Sequence, residues 1–360
     1  MTPPLPPRYP EITVCGPPRE LGRQLGEAAR EQVRGFCEIA LDRVNQTVRI
    51  SRERATGIAQ QSLVCAEAYR PDLVQELRGT AEAAGVSLDD LMLLQVRNQL
   101  TPDDSACTSL AIQSPDGMTT VAQTWDNDPV LDEFTIVLTR RPVGQPATLM
   151  CTQAGLISYM GLSETGIGTC VNTLPAPARS VGVPHYFILR EMYEARQLQD
   201  AVQSVRRASR AIPVNIMMAT PEGPADLEVT LDEIHVLKPE NGRSWLGHSN
   251  HCLCPEIAAF NDQFPELIQS HSRKDRIDQL LSAAESTWRS ASETGRRQIL
   301  EQILKDHEGH PRSICRHANK DPAHGFWATV FALIVEPFAL RMHVARGTPC
   351  CSEFEEYSLG

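Results

Sequence analysis

Nothing in this chain marks it for nucleic acid or for a membrane. Its 360 residues carry a net charge of −11, so a basic footprint is missing. The acidic balance reads as a solubility feature. No stretch approaches the roughly 18 to 20 consecutive apolar residues that span a bilayer. The N-terminus is rich in proline and has no apolar core, so it does not read as a signal peptide. Also missing are a Gly-x-Ser-x-Gly elbow, a phosphate-binding glycine loop, a dinucleotide fingerprint and a zincin motif. Their absence removes the common serine-hydrolase, nucleotide-dependent and zinc-peptidase readings. There is no internal repeat and no low-complexity tract. The eleven cysteines are odd in number and lack the spacing of a small disulfide scaffold. They point to reduced thiols and a cytoplasmic location.

What is present is an ordinary globular composition. It is 41% hydrophobic, enough to bury a core in one large or two moderate domains. The first third carries helical periodicity. Apolar residues from Leu21 to Val44 recur at three and four spacing, so residues 19–49 read as an amphipathic helix, and 52–69 continue similarly. Pro71 suits a helix start, Gly85 a helix stop, and Ser87 the cap of a helix from Leu88. After Cys107 the period shortens. Residues 108–113, 119–124, 134–139, 147–152, 159–163 and 166–172 read as strands bounded by Gly, Pro and Asp. Two helices, 185–195 and 198–208, precede strands at 214–220, 225–231, 233–238 and 244–246. Helices at 274–284 and 293–307 lead to a closing hairpin, 329–336 and 339–345, with Pro337 in its turn. This order predicts an α+β fold.

The chemistry centres on Cys107. It follows the polar turn Asp103-Asp104-Ser105-Ala106 and precedes Thr108 and Ser109, where the first strand begins. A generic cysteine is most often a small buried hydrophobe. Here the polar flank and the strand start favour a nucleophilic thiol. A cut between Ala106 and Cys107 would free an α-amine of pKa about 7.7 to 8, matched to a thiol near about 8.5 and able to serve as its base. Attack of the thiol on the Ala106 carbonyl, followed by water, would make that cut. Asp126 closes the next strand in Thr124-Trp125-Asp126-Asn127 and can face Cys107 across the hairpin. The plain alternative is a turn aspartate ahead of Asn127-Asp128-Pro129. His248-x-x-His251-Cys252-x-Cys254 offers four zinc-type ligands, but the spacing is compressed and no second close pair completes it. No metal and no cofactor are expected.

Several further motifs stand in a specific order. They are the helix-glycine-helix Glu82-Ala83-Ala84-Gly85-Val86-Ser87-Leu88 and the segment Arg97-Asn98-Gln99-Leu100. Cys107-Thr108-Ser109 and Gln123-Thr124-Trp125-Asp126 follow, then Gly161-Leu162-Ser163-Glu164-Thr165-Gly166-Ile167-Gly168 leading to Asn172. His248-Ser249-Asn250-His251 and Pro311-Arg312-Ser313-Ile314-Cys315-Arg316-His317 complete the set. Over nearly its whole length the chain resembles the autoproteolytic cysteine N-terminal-nucleophile (Ntn) enzymes typified by acyl-coenzyme A:6-aminopenicillanate acyltransferase. Where that family usually has glycine before the cysteine, this chain has Ala106.

The resemblance implies a four-layer αββα sandwich. It also implies division into a helical pro-segment, 1–106, and a catalytic core, 107–360, that remain associated after cleavage. Cys107 is the implied nucleophile. Asp126 orients its ammonium, Asn250 donates to the oxyanion, and Arg316 pairs with Asp126 or steadies the thiol, with Arg312 as a competitor. Trp125 supplies an apolar wall and Asn172 reaches the amine or the substrate, while His248 and His251 pack around Asn250. The implied reaction is hydrolysis or transfer of an acyl group at an amide bond of a small molecule. An acyl-CoA-dependent N-acyltransferase is one alternative, and a non-catalytic binding protein on the same fold is another. A higher homo-oligomer is compatible with either.

Overall fold

The computed structural model describes residues 7–100, 106–240, 242–264, 269–321 and 325–360. The polar flank at 103–105 lies outside the described residues. Helices α1 (Pro18–Ala28), α2 (Arg30–Val44), α3 (Arg52–Tyr69), α4 (Pro71–Ala84) and α5 (Leu88–Leu100) form the N-terminal part. The cap signals act as expected. Pro71 opens α4, Gly85 ends it in a left-handed conformation at φ 72°, and the Ser87 hydroxyl accepts from the Asp90 N–H. The single helix predicted over 19–49 is two helices, because Ala29 leaves helical geometry at φ −114° and ψ 29°. The break lets α1 lie along α4 while α2 packs on α5. A Cβ at Gly22 would sit 1.7 Å from the Glu76 carbonyl oxygen, so α1 and α4 touch backbone to backbone.

The strands are β1 (Glu11–Gly16), β2 (Ala106–Gln113), β3 (Thr119–Asn127), β4 (Thr135–Pro142), β5 (Thr148–Gln153), β6 (Met160–Ser163) and β7 (Gly168–Thr173). After α6 (His185–Met192) and α7 (Leu198–Arg207) come β8 (Val214–Thr220), β9 (Gly223–Val229), β10 (Ile234–Leu237) and β11 (Trp245–His248). Helices α8 (Ser270–Ser290) and α9 (Glu293–Leu304) precede β12 (Ala328–Glu336), β13 (Arg341–Arg346) and β14 (Phe354–Ser358). Two strands were not anticipated. β1 carries a short alternating pattern, with Ile12 and Val14 buried, and pairs parallel with β4. β14 pairs with β13, so the closing hairpin is a three-stranded meander.

One sheet has eight strands in the order β1-β4-β5-β6-β7-β8-β9-β10, and the other has six, β11-β2-β3-β12-β13-β14. The central strands β2 and β3 pack across onto β7 and β8. α8 and α9 cover the outer face of the six-stranded sheet, while α6 and α7 join the N-terminal helices over the other sheet. The result is the expected α+β arrangement in four layers, αββα. Every residue of β8 and β9 is buried, as strands covered on both faces require.

Candidate active site

Strand register decides what lies beside Cys107. β2 pairs with β3 so that Cys107 stands opposite Trp125 and Ala106 opposite Asp126. Side chains alternate along a strand. Cys107 and Trp125 therefore point between the two sheets, into the main core. Asp126 points to the other face, where Leu110, Ile112 and Ala122 meet α8 and α9. The expectation that Cys107 and Asp126 face each other across the hairpin is thus corrected by one residue of register.

The backbone of Cys107 turns away from β3, toward β11. Its N–H donates to Asn250 Oδ1 at 2.9 Å. Arg273, in the first turn of α8, holds the same oxygen through Nη2 at 2.8 Å. Through Nη1 it donates to the Cys107 carbonyl and, at 2.8 Å, to Thr108 Oγ1. Asn250 Nδ2 donates to Thr173 Oγ1 at 2.9 Å and to the Thr173 carbonyl at 3.2 Å. Cys107, Thr108, Asn250 and Arg273 are buried, where charge-assisted hydrogen bonds are strong, and Thr173 is partly exposed. Arg273 was not singled out from sequence. It lies in a run of polar residues at a helix start, and only the fold reveals that its side chain points inward.

The turn that carries Asn250 is tied down on both sides. Ser270 Oγ accepts from the Asn250 N–H at 2.7 Å and bonds the Ser249 hydroxyl and the His251 ring. His248 Nε2 bonds Glu228 Oε1 at 2.8 Å, and Glu228 also accepts the N–H groups of Leu253 and Cys254. Burial opposes the Glu228 charge. The His248 ring and those N–H groups outweigh it and hold the carboxyl below its ordinary range. Burial, with help from neighbouring cations, pushes His251 down to about 3, so its ring is neutral. His251 reaches the Asn250 N–H through the shared Ser270 hydroxyl, while His248 is held by Glu228 and the Ser249 carbonyl.

On the outer face of β3, which α8 and α9 cover, a second polar group is assembled. Asp126 Oδ1 accepts from Thr329 Oγ1 at 2.7 Å, and Thr329 Oγ1 in turn accepts the Arg316 backbone N–H at 2.9 Å. Asp126 and Arg316 are both fully buried. Among the described residues, Asp126 Oδ2 and all three guanidinium nitrogens of Arg316 have no hydrogen-bond partner. Burial pushes the Asp126 carboxyl up to about 7, although Arg316 and Arg273 pull it down. Burial likewise works against the Arg316 charge, and Asp126 supports it. The competitor Arg312 instead pairs with Asp321, partly exposed, so Arg316 is the arginine placed beside Asp126.

Trp125 is buried beside Cys107, stacked on Phe331 at 4.9 Å and edge-on to Tyr159 at 5.8 Å. Asn172 Oδ1 accepts from Ser109 Oγ at 2.8 Å, and its buried Nδ2 has no partner among the described residues. Asn172 therefore sits two residues along the same face of β2 from Cys107, with a donor in reserve. The histidine-cysteine run 248–254 does not converge. His248 is engaged by Glu228, His251 by Ser270, and the Cys254 thiol by Glu256.

The sequence model of the family described as acyl-coenzyme A:6-aminopenicillanic acid acyl-transferase matches residues 113–350, which include Asp126, Asn250 and Arg316. The acyl-coenzyme A:6-aminopenicillanic-acid-acyltransferase 40 kDa form of Emericella nidulans is 24% identical over 345 residues, covering 94% of this chain and 92% of the relative. Among solved structures, penicillin V acylase from Agrobacterium tumefaciens is similar at a TM-score of 0.48 and 9% identity, over 67% of this chain and 83% of that one. A mutant of conjugated bile acid hydrolase from Clostridium perfringens gives 0.43 and 13%, over 71% and 97%.

Proposed function

We propose a function for this chain, which belongs to the acyl-coenzyme A:6-aminopenicillanic acid acyl-transferase family, with that membership as the premise. It is an enzyme of acyl transfer. The finer reading is an autoprocessed cysteine amidohydrolase or acyltransferase that works through a Cys107 thioester. The observation that carries it is the hydrogen bond from the Cys107 backbone nitrogen to Asn250, with Arg273 bridging the same oxygen and the Cys107 carbonyl. A buried site organised around the nitrogen of one cysteine suits a nitrogen that becomes a chain terminus.

Processing would proceed by attack of Cys107 Sγ on the Ala106 carbonyl. The Ala106–Cys107 C–N bond breaks, the Cys107 nitrogen takes a proton, and water hydrolyses the thioester. In the mature enzyme that nitrogen is an amine. It accepts the thiol proton as Sγ attacks the substrate carbonyl, then delivers it to the leaving amine. One N–H of Asn250, re-aimed from Thr173, donates to the oxyanion, and such a donor is worth roughly 2.7 to 4 kcal/mol. Arg316 keeps the neighbouring charge balance. Water completes hydrolysis, and a second amine completes transfer. The substrate class is an N-acylated small molecule, and hydrolysis is favoured because no acyl-CoA signature is evident.

The test is direct. Purified protein is expected to give two fragments, the larger starting at Cys107 by N-terminal sequencing, while Cys107→Ala stays a single chain and is inactive on a panel of N-acyl amines. A wild-type chain that hydrolyses any of these amides while still intact through residue 107 would falsify the processed mechanism.

A further inference from the structure

A second cluster of reactive side chains lies outside this site and is not used by the chemistry above. His307 follows α9, Cys315 and His317 lie on the segment leading to β12, and Cys350 lies between β13 and β14. Their nearest nitrogen and sulfur atoms all fall within 4.8 Å of one another. His317 Nε2 is 3.0 Å from His307 Nε2, 3.6 Å from Cys315 Sγ and 3.5 Å from Cys350 Sγ. In a tetrahedral zinc site with bonds of about 2.0 to 2.1 Å to nitrogen and about 2.3 Å to sulfur, neighbouring donors lie about 3.3 to 3.8 Å apart. The three observed separations sit at or within a few tenths of an ångström of that range.

We propose that His307, Cys315, His317 and Cys350 form a closed metal site for a soft-accepting divalent cation, Zn²⁺ above all. Two imidazoles and two thiolates are the donor set that selects zinc over magnesium or calcium. With four protein ligands and no open position, the role is structural. Position gives that role content. Arg316 stands between two of the ligands, and its backbone N–H joins the Thr329–Asp126 chain. The ion would clamp the segment that presents Arg316 onto the β13–β14 connection. Binding releases the two thiol protons and changes no oxidation state.

The full-length chain, purified under reductant and loaded with Zn²⁺, is expected to retain about one zinc per chain by elemental analysis after gel filtration, as a four-ligand site would. Cobalt substitution is expected to give intense tetrahedral ligand-field bands with a thiolate-to-cobalt charge-transfer band. Cys350→Ser is expected to weaken that band and lower zinc affinity by about tenfold or more, at least what loss of a supporting shell costs. His307→Ala changes only an exposed residue, so it keeps the test alive should Cys350→Ser fail to fold, and the same loss of affinity is expected. Three results overturn the proposal: no retained zinc in the wild type, variants that hold zinc as the wild type does, or a Cys315–Cys350 disulfide under reductant that excludes metal.

Discussion

Two polar groups flank β2 and β3, and they are built on opposite terms. Toward β11 and α8, every partner of the Cys107 backbone is engaged: Asn250 bonds Cys107, Arg273 and Thr173, and Arg273 reaches three acceptors at once. Toward α9 and β12, Asp126 keeps an unpartnered oxygen, and the Arg316 guanidinium has no hydrogen-bond partner among the described residues. Buried polar groups are normally satisfied, so the second group is the costly one. The first has the character of a scaffold that fixes the Cys107 backbone. On the proposed mechanism the second is a charge reserve, poorly satisfied until cleavage and substrate supply new charges.

Substitution can break this contrast. Arg273→Leu is expected to cost about 3 to 5 kcal/mol, since removing one member of a buried charged network strands the others. Urea unfolding of the single-chain Cys107→Ala background reads it, and a cost below about 1 kcal/mol, the worth of an ordinary hydrogen bond, would place the scaffold elsewhere. Asn250→Ala is expected to lower turnover of processed enzyme by about a hundredfold or more through the lost oxyanion donor. Unchanged turnover on the best substrate would assign the donor to another group. Arg316→Leu should behave in the opposite way to Arg273→Leu. The Arg316 guanidinium makes no hydrogen bond whose loss would be felt, and Asp126 can take up a proton once the charge is gone, so a change near zero is expected. Equal destabilisation by the two leucine variants would erase the distinction between the groups.

The sequence reveals the layers better than the site. Periodicity, Pro71, Gly85 and Ser87 placed the helices because these signals are local. β1 and β14 escaped because short strands near the ends of the chain gain their stability from distant partners, β4 and β13. Cys107, Asn250 and the pair Arg312 or Arg316 stand out as candidates from their motifs, but register does not, and it turns Asp126 to the face away from the Cys107 side chain. Arg273 carried no local signal at all: a basic residue opening a polar helix looks solvated until α8 is docked on β11 and β2. The histidine-cysteine clusters show the same rule. The compact run at 248–254 looks like a ligand set and is dispersed by the fold, whereas His307, Cys315 and His317 of the α9–β12 connection converge with Cys350 of the β13–β14 connection.

The smallest effect is the most specific test of the charge reserve, and its sign follows from Asp126. Burial raises that carboxyl to about 7 in the uncleaved chain, against about 3.9 for a free aspartate. A carboxyl raised on folding contributes stability that is fully present below its unfolded value and is lost as pH rises through its folded value. Between pH 6 and 7.5 the unfolded chain is already ionised while the folded chain is still releasing its proton. Linkage then predicts that the Cys107→Ala chain loses about 1 kcal/mol across that interval from this group alone. Asp126→Asn in the same background keeps the shape and removes the proton, so its stability should fall by about 1 kcal/mol less over the interval. Paired urea titrations at the two pH values measure the difference, and histidines that titrate in the same window cancel between the two proteins. Parallel slopes would mean that Arg316 already holds Asp126 ionised before cleavage. The second group would then be a satisfied ion pair, and the contrast between the two sides of the hairpin would collapse.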